Sequence, residues 1–270
     1  MIGICTDSYS LLSAEFIERV AIEVVPLTIN IGDVEYLDGV DIDIDEYYAM
    51  TAAAGGTGTS TTQPSSGQFA LAYDRLAERG VSQILSIHTS SGVSGTLTSA
   101  RLATRCSSVP VKVLDTNSPG FAMSCAIWAA ADAAAKGAAM CEVVAAAERV
   151  GPAVGNLFVY EASEACHAAA GGEGQIAVMS VVDSEIRVVH HVARCIDVAE
   201  AMAAGLAPTT GPVNVLLAHA DRCGAAMMDD VRRLIAGTTN VTEIMQSRIG
   251  PSVAASMGRC GAGMFFYPVG

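Results

Sequence analysis

The feature that most limits what this chain can fold into is the alternation, through its first half, of short apolar runs with segments of helical periodicity. Residues 2–5, 81–87 and 109–114 are too short and too evenly apolar to be amphipathic helices, and helix-patterned stretches separate them. Buried strands joined by helical crossovers form a parallel sheet covered by helices. The expected fold is therefore α/β: an N-terminal parallel-sheet lobe at 1–152 and a smaller C-terminal α+β lobe at 153–270, joined near Gly151 and Pro152.

Local signals fill in this outline. Gly32 and Asp33 lie between apolar runs at 24–31 and 34–36 and predict a hairpin. Asp43, with Glu46 one turn later, predicts a capping box for a helix reaching about residue 53. Phe69, Tyr73 and Leu76 recur at helical spacing before Gly80, and an alanine-rich helix from about 120 stops at Gly137. In the second half, strands are expected at 157–160, 175–182, 186–191, 213–218 and 241–246, with helices at 163–170, 195–204 and 224–236.

Charge and composition exclude several functions. A net charge of −13 over 270 residues leaves no basic footprint for nucleic-acid phosphates. Mean hydropathy is positive, +0.41, but the excess is largely alanine. The best apolar stretch, 121–135, is interrupted by Asp132 and too short to span a bilayer, so no transmembrane segment is expected. The start MIGICTDSYS has neither a basic nor an apolar leader region, which points to the cytoplasm. The 8 cysteines show no CxxC pair and are expected to be mostly buried thiols. Cys166 and His167 are the nearest approach to a metal-ligand cluster, so neither metal nor cofactor is expected.

Parallel sheets bind ligands beyond the carboxyl ends of their strands. The residues at those places are Thr6, Asp7 and Ser8; Thr61, Thr62 and Gln63; Ser90, Ser91, Gly92, Ser94 and Gly95; and Asp115, Thr116, Asn117 and Ser118. Small hydroxyl, amide and glycine residues ahead of helices expose backbone N–H groups and the positive end of the helix dipole, which hold an anion without a basic side chain. Each hydroxyl alone also fits an ordinary helix cap. The loops taken together favour an oxyanion site.

Other chemistries fit less well. SSGVSGT, at residues 90–96, is not the G-x-S-x-G nucleophile elbow. His88 is the histidine near a serine loop, at the buried end of a strand, and reads as a core residue. His190 and His191 are adjacent on a strand and point to opposite faces, so they make a poor metal pair. GGTGTS at 55–60 lacks the lysine of a P-loop, and no G-x-G-x-x-G opens a helix after a strand, which disfavours nucleotide binding. The alanines and methionines suit an apolar tunnel as well as they suit ordinary helix packing.

Several landmarks agree in order and spacing with a known family: TDS at 6–8, VVPLTI at 24–29, the run YLDGVDIDIDEYY, TTQPS at 61–65, SSGVSGT at 90–96, LDTNSPG at 114–120, and GP followed by GMFFYP near the C-terminus. In these residues the chain resembles the DegV family of bacterial lipid-binding proteins, which includes the fatty-acid-binding subunits of fatty acid kinase. The resemblance is strong over roughly the first 140 residues and the last 25. It implies a fatty acid lying between two lobes, its carboxylate at the hydroxyl-rich loops and its tail covered by the C-terminal lobe. Carried over by position, Thr61 and Ser91, with the Gly92 amide, look like carboxylate ligands, with Thr62 and Ser90 beside them. Two departures stand out: Ser256 occupies the position of a family histidine, and HAAAGGEGQI has glutamate where a family arginine is expected. Arg259 is near enough in sequence to substitute, although arginine is mostly a surface residue.

The leading expectation is thus a long-chain fatty-acid carrier, not catalytic alone, that presents the carboxyl group to a separate fatty acid kinase catalytic subunit. The alternatives are a diverged binder of another amphipathic or small anionic ligand, motivated by Ser256, and a serine acyl hydrolase using Ser90, Ser91 or Ser94.

Overall fold

The computed structural model describes all residues except 54–58, 90–93, 118–119, 161–174, 183–184, 208, 221, 239, 258–259 and 270; at 52, 53, 152, 256, 257 and 260 it describes the backbone alone. The chain divides into two compact units, Met1–Pro152 with Gly250–Ser256, and Ala153–Ile249 with Met257–Gly270.

The first unit runs β1 (Ile2–Asp7), α1 (Ala14–Arg19), β2 (Glu23–Val25), β3 (Thr28–Ile31), β4 (Val34–Leu37), α2 (Ile44–Ala53) and β5 (Thr59–Thr62). It continues through α3 (Ser66–Glu78), β6 (Gln83–His88), α4 (Thr96–Ala103), β7 (Val111–Asp115), α5 (Gly120–Ala135) and α6 (Met140–Val150). The second unit holds β8 (Gly155–Tyr160), β9 (Ile176–Val182), β10 (Glu185–Val192), α7 (Cys195–Ala204), β11 (Val213–His219), α8 (Arg222–Ile235) and β12 (Val241–Arg248). Helix α9 (Pro251–Met257) then returns the chain to the first unit, and β13 (Cys260–Pro268) completes the second.

The main sheet of the first unit has the order β2-β1-β6-β7 with every pair parallel, so the molecule is α/β as the sequence predicts. Helix α3 lays Phe69, Ala72, Tyr73 and Leu76 against Cys5 and Ile84, and α5 and α6 pack along β1 and β6. Burying side chains of this size contributes about 1.5–3 kcal/mol each. The predicted capping box is present: Glu46 N donates to Asp43 Oδ1 at 2.9 Å and Asp43 N to Glu46 Oε2 at 3.0 Å. Gly80 ends α3 with φ +83°, a left-handed conformation that glycine adopts without a Cβ penalty.

The apolar run at 24–31 proves to be two strands. β2 joins the parallel sheet, whereas β3 is the centre of a small antiparallel sheet of order β4-β3-β5. Pro26 lies between them, and without an N–H it cannot continue a ladder. Residues 59–62, read from sequence as part of a loop, are β5. Helix α9 covers one face of this small sheet, with Ala254 packed among Ile29, Ile31, Ile42, Ile44 and Tyr47.

The second unit is a six-stranded sheet of order β10-β9-β8-β13-β11-β12, antiparallel except for the β11–β12 pair. Helices α7 and α8 cover one face through Val198, Met202, Met227, Met228 and Val231. By the two-residue period of strands, Phe158, Leu216 and Phe265 point to the other face, and they are 2 %, 1 % and 1 % exposed. The helix expected at 163–170 lies outside the described residues. Among the cysteines Cys5 and Cys125 are buried, but Cys106 and Cys141 are exposed and Cys195 is disulfide-bonded, contrary to the expectation of mostly buried thiols. No helix among the described residues is long and apolar enough to cross a membrane.

Candidate functional site

Strands β1, β6 and β7 end together because they are parallel and in register, which gathers Asp7, His88 and Asp115 at one edge of the sheet. His88 is wholly buried, as expected for a core histidine, and both its ring nitrogens are engaged. Its Nδ1 lies 2.6 Å from Asp7 Oδ2 and its Nε2 2.7 Å from Ser86 Oγ. The Tyr73 hydroxyl continues the chain, 3.0 Å from Ser86 Oγ and 3.2 Å from the Ala100 carbonyl. Burial raises the Tyr73 phenol above its ordinary value, so it stays neutral.

Serine, histidine and aspartate in this order have the contacts of a hydrolytic triad. Ser86, however, is 0 % exposed and stands on the same strand as its histidine, so no acyl carbon can approach its oxygen. The network fixes the strand end instead. Thr116 reinforces it, its N and Oγ1 both donating to the His88 carbonyl at 3.1 and 3.0 Å.

A second knot ties β1 to α9. Ser8 Oγ accepts from Leu27 N at 3.0 Å, and Asp38 N donates to the Leu27 carbonyl at 2.9 Å. Asp38 Oδ2 accepts from Ser252 N at 3.3 Å, and Ser252 Oγ donates to the Ser8 carbonyl at 3.2 Å. Burial lifts the Asp38 carboxyl above the ordinary aspartate value of 3.8; hydrogen bonds from Ser252 and Ser8 oppose the rise, and the charge on Asp7 adds to it.

In the small sheet, Thr61 pairs with Ile29 and Thr62 with Thr28, so the two threonines point to opposite faces. Thr62 Oγ1 accepts from Asn30 Nδ2 at 3.0 Å and belongs to an outer polar ladder with Ser60. Thr61 shares the face of Ile29, the face that α9 covers. It is exposed, and its hydroxyl makes no hydrogen bond among the described residues. A hydroxyl left open at the rim of an apolar cluster can meet the polar end of an amphipathic ligand.

The other sequence-predicted residues are placed as follows. Ser94 Oγ accepts from Thr96 N at 3.2 Å and lies 2.8 Å from Thr96 Oγ1, so it satisfies the first N–H of α4 from just ahead of Gly95. The Gln63 side chain packs over Gly95, with Nε2 3.4 Å from Ser99 Oγ. Asn117 adopts φ +49°, its N donating to Asp115 Oδ1 at 2.9 Å. Ser256 is on α9, described by backbone alone, and Ser90, Ser91, Gly92, Ser118 and Arg259 lie outside the described residues. Sequence reasoning gave no role to Asp38, Ser252, Ser86 or Tyr73. The signal available for Asp38 was its place in the YLDG run, and for Ser252 the Gly-Pro step before it.

A parallel sheet with hydroxyl-rich loops at its strand ends, an accessory three-stranded sheet and a second, largely antiparallel unit define a two-unit α/β class of protein. The chain belongs to the DegV family: the model of that family, described as uncharacterised proteins, matches residues 1–165. It is 36% identical over 141 residues to a DegV domain-containing protein of Staphylococcus aureus, covering 52% of this chain and 50% of that one. A Streptomyces coelicolor relative is 36% identical over 148 residues, covering 55% and 52%. The chain thus spans about half the length of the curated relatives it matches.

Among solved structures, a Thermus thermophilus DegV family protein described for fatty acid binding has a TM-score of 0.78 at 23% identity, covering 99% of both chains. A stearic-acid-binding protein of Eubacterium ventriosum has a TM-score of 0.79 at 19% identity, covering 99% of this chain and 98% of that one. At such identities the likeness establishes the fold.

Proposed function

We propose that this chain binds a long-chain fatty acid, with the carboxylate at Thr61 and residues 90–92. The observation that carries the reading is the open Thr61 hydroxyl on the α9-covered face of the small sheet. It gains support from fold relatives that bind fatty acids, among them DegV of Bacillus subtilis.

On this reading the chain catalyses nothing alone. It works in the cytoplasm and offers the carboxyl group to a fatty acid kinase catalytic subunit, which supplies ATP, metal and phosphoryl transfer. Thr62 and Ser94 act as structural neighbours of the site because their hydroxyls are already engaged. Ser90, Ser91, Gly92, Ser118, Ser256 and Arg259 complete the proposed headgroup region.

The test is competition: palmitate, oleate, decanol and short anions displacing a fluorescent fatty acid. Displacement by the long-chain acids alone supports the reading, and displacement by short anions favours the diverged-ligand alternative set up by Ser256. Addition of a fatty acid kinase catalytic subunit with ATP then tests presentation, through acyl phosphate formation that depends on this chain.

A further inference from the structure

Asp38 is a buried carboxyl, 5 % exposed, that stands at the start of α9 rather than on any strand of the sheets. Its carboxylate receives Ser252 N at 3.3 Å, and a Cβ placed on Gly250 would sit 3.5 Å from Oδ1, so the turn into α9 is built closely around it. The same turn reaches Ser8 through Ser252 Oγ, and Ser8 holds Leu27 just ahead of β3. Asp38 itself follows β4, and its N donates to the Leu27 carbonyl at 2.9 Å. Asp38 thus ties the first turn of α9 to both sides of the β3–β4 hairpin, with its side chain on Ser252 and its own N on Leu27, and Ser252 extends the tie to the end of β1. That helix in turn packs on the sheet face at whose rim Thr61 stands open.

A carboxylate buried at this cost is a poor choice for stability alone, because an apolar residue would close the same gap without desolvating a charge. It is the right choice for setting the position of a returning helix, since an amide N–H donates well only to an acceptor in line with it, and a charged acceptor strengthens that bond. We propose that Asp38 is a positioning residue for ligand capture: it clamps α9 in register with the small sheet and so sets the geometry of the Thr61 rim. The proposal rests on the reading of Thr61 as a carboxylate ligand.

The test compares Asp38→Ala and Asp38→Asn with the native protein, well below the melting temperature of each. Palmitate affinity is measured by displacement of a fluorescent fatty acid, and the clamp by hydrogen exchange at the Ser252 amide. Asparagine keeps an oxygen for Ser252 N; alanine does not. Asp38→Ala is expected to raise the dissociation constant about tenfold or more and to speed Ser252 exchange by a similar factor, while Asp38→Asn stays within about threefold on both. Native affinity in a folded Asp38→Ala, or unchanged exchange at Ser252, overturns the proposal. If Asp38→Ala does not fold, Ser252→Ala removes one hydroxyl of the knot and is expected to weaken palmitate about threefold; native affinity there overturns it equally. Failure of the native protein to bind any fatty acid overturns the functional reading and with it the ligand role of Asp38, while Ser252 exchange still reports the clamp.

Discussion

The Asp7 carboxylate and His88 Nδ1 stand 2.6 Å apart in a site closed to solvent, His88 being 0 % and Asp7 1 % exposed. Removing one partner leaves the other buried and uncompensated, which costs about 3–5 kcal/mol. His88→Leu is therefore expected to lower the unfolding free energy by about that amount in a urea titration. A loss below about 1 kcal/mol would mean that the pair contributes little to the anchored strand end.

Ser86 supplies a sharper contrast. Although it lies 2.7 Å from His88 Nε2, it is sealed from solvent and is expected to resist fluorophosphonate labelling. Ser86→Ala should destabilise by about 1–2 kcal/mol, the cost of an interrupted buried hydrogen bond. Mass spectrometry of the labelled protein decides the matter: an adduct on Ser86 would show that its oxygen is reachable and that the Ser86–His88–Asp7 network can act on an acyl carbon.

Gly120 and Gly95 are both crowded, for different reasons. A Cβ at Gly120 would come within 2.8 Å of the Tyr9 ring and 3.0 Å of the Tyr9 carbonyl, and backbone cannot swing aside. At Gly95 the obstruction is the Gln63 amide, the end of an exposed and flexible side chain. Gly120→Ala is expected to cost about 1–3 kcal/mol and Gly95→Ala less than about 1 kcal/mol. Thermal unfolding of the two variants side by side checks the order.

The raised Asp38 carboxyl gives a pH signature. A folded-state value above the ordinary 3.8 means that the folded chain holds this proton more tightly than the unfolded chain does. The group's contribution is thus most favourable in acid below the ordinary value, and it is lost as pH rises through the raised one. Asp38→Asn removes that loss, so the variant should melt above the native protein at pH 7, with the difference shrinking as pH falls toward 4. A constant difference across that range would mean that Asp38 titrates as an ordinary aspartate.

Much of the frame was legible because burial periodicity and capping are local. β1, the Asp43 capping box and the helix at 195–204 follow from residues within a turn or two of one another. The assignment of β2 and β3 to different sheets was not, since Pro26 marks a break but the strand partners come from distant sequence. β5 reads as loop because Thr59, Ser60, Thr61 and Thr62 lack apolar alternation; its pairing with β3 makes it a strand. β13 was missed for its glycines, yet it is a central strand, and Gly263 is needed where the Phe265 ring and Phe158 close in. The resemblance put Thr61 and Thr62 side by side, whereas their opposite facing depends on the β3–β5 register, and the Asp38–Ser252 knot joins residues 214 positions apart.

The central claim, that Thr61 and residues 90–92 hold a fatty acid carboxylate, is tested most directly by mass spectrometry of an organic extract. The native protein is to be purified without detergent beside a Thr61→Val, Ser91→Ala double variant handled identically. The account predicts one long-chain fatty acid per native chain and its loss from a variant that remains folded. No bound lipid in either protein, or the same lipid retained at equal occupancy in both, would contradict it.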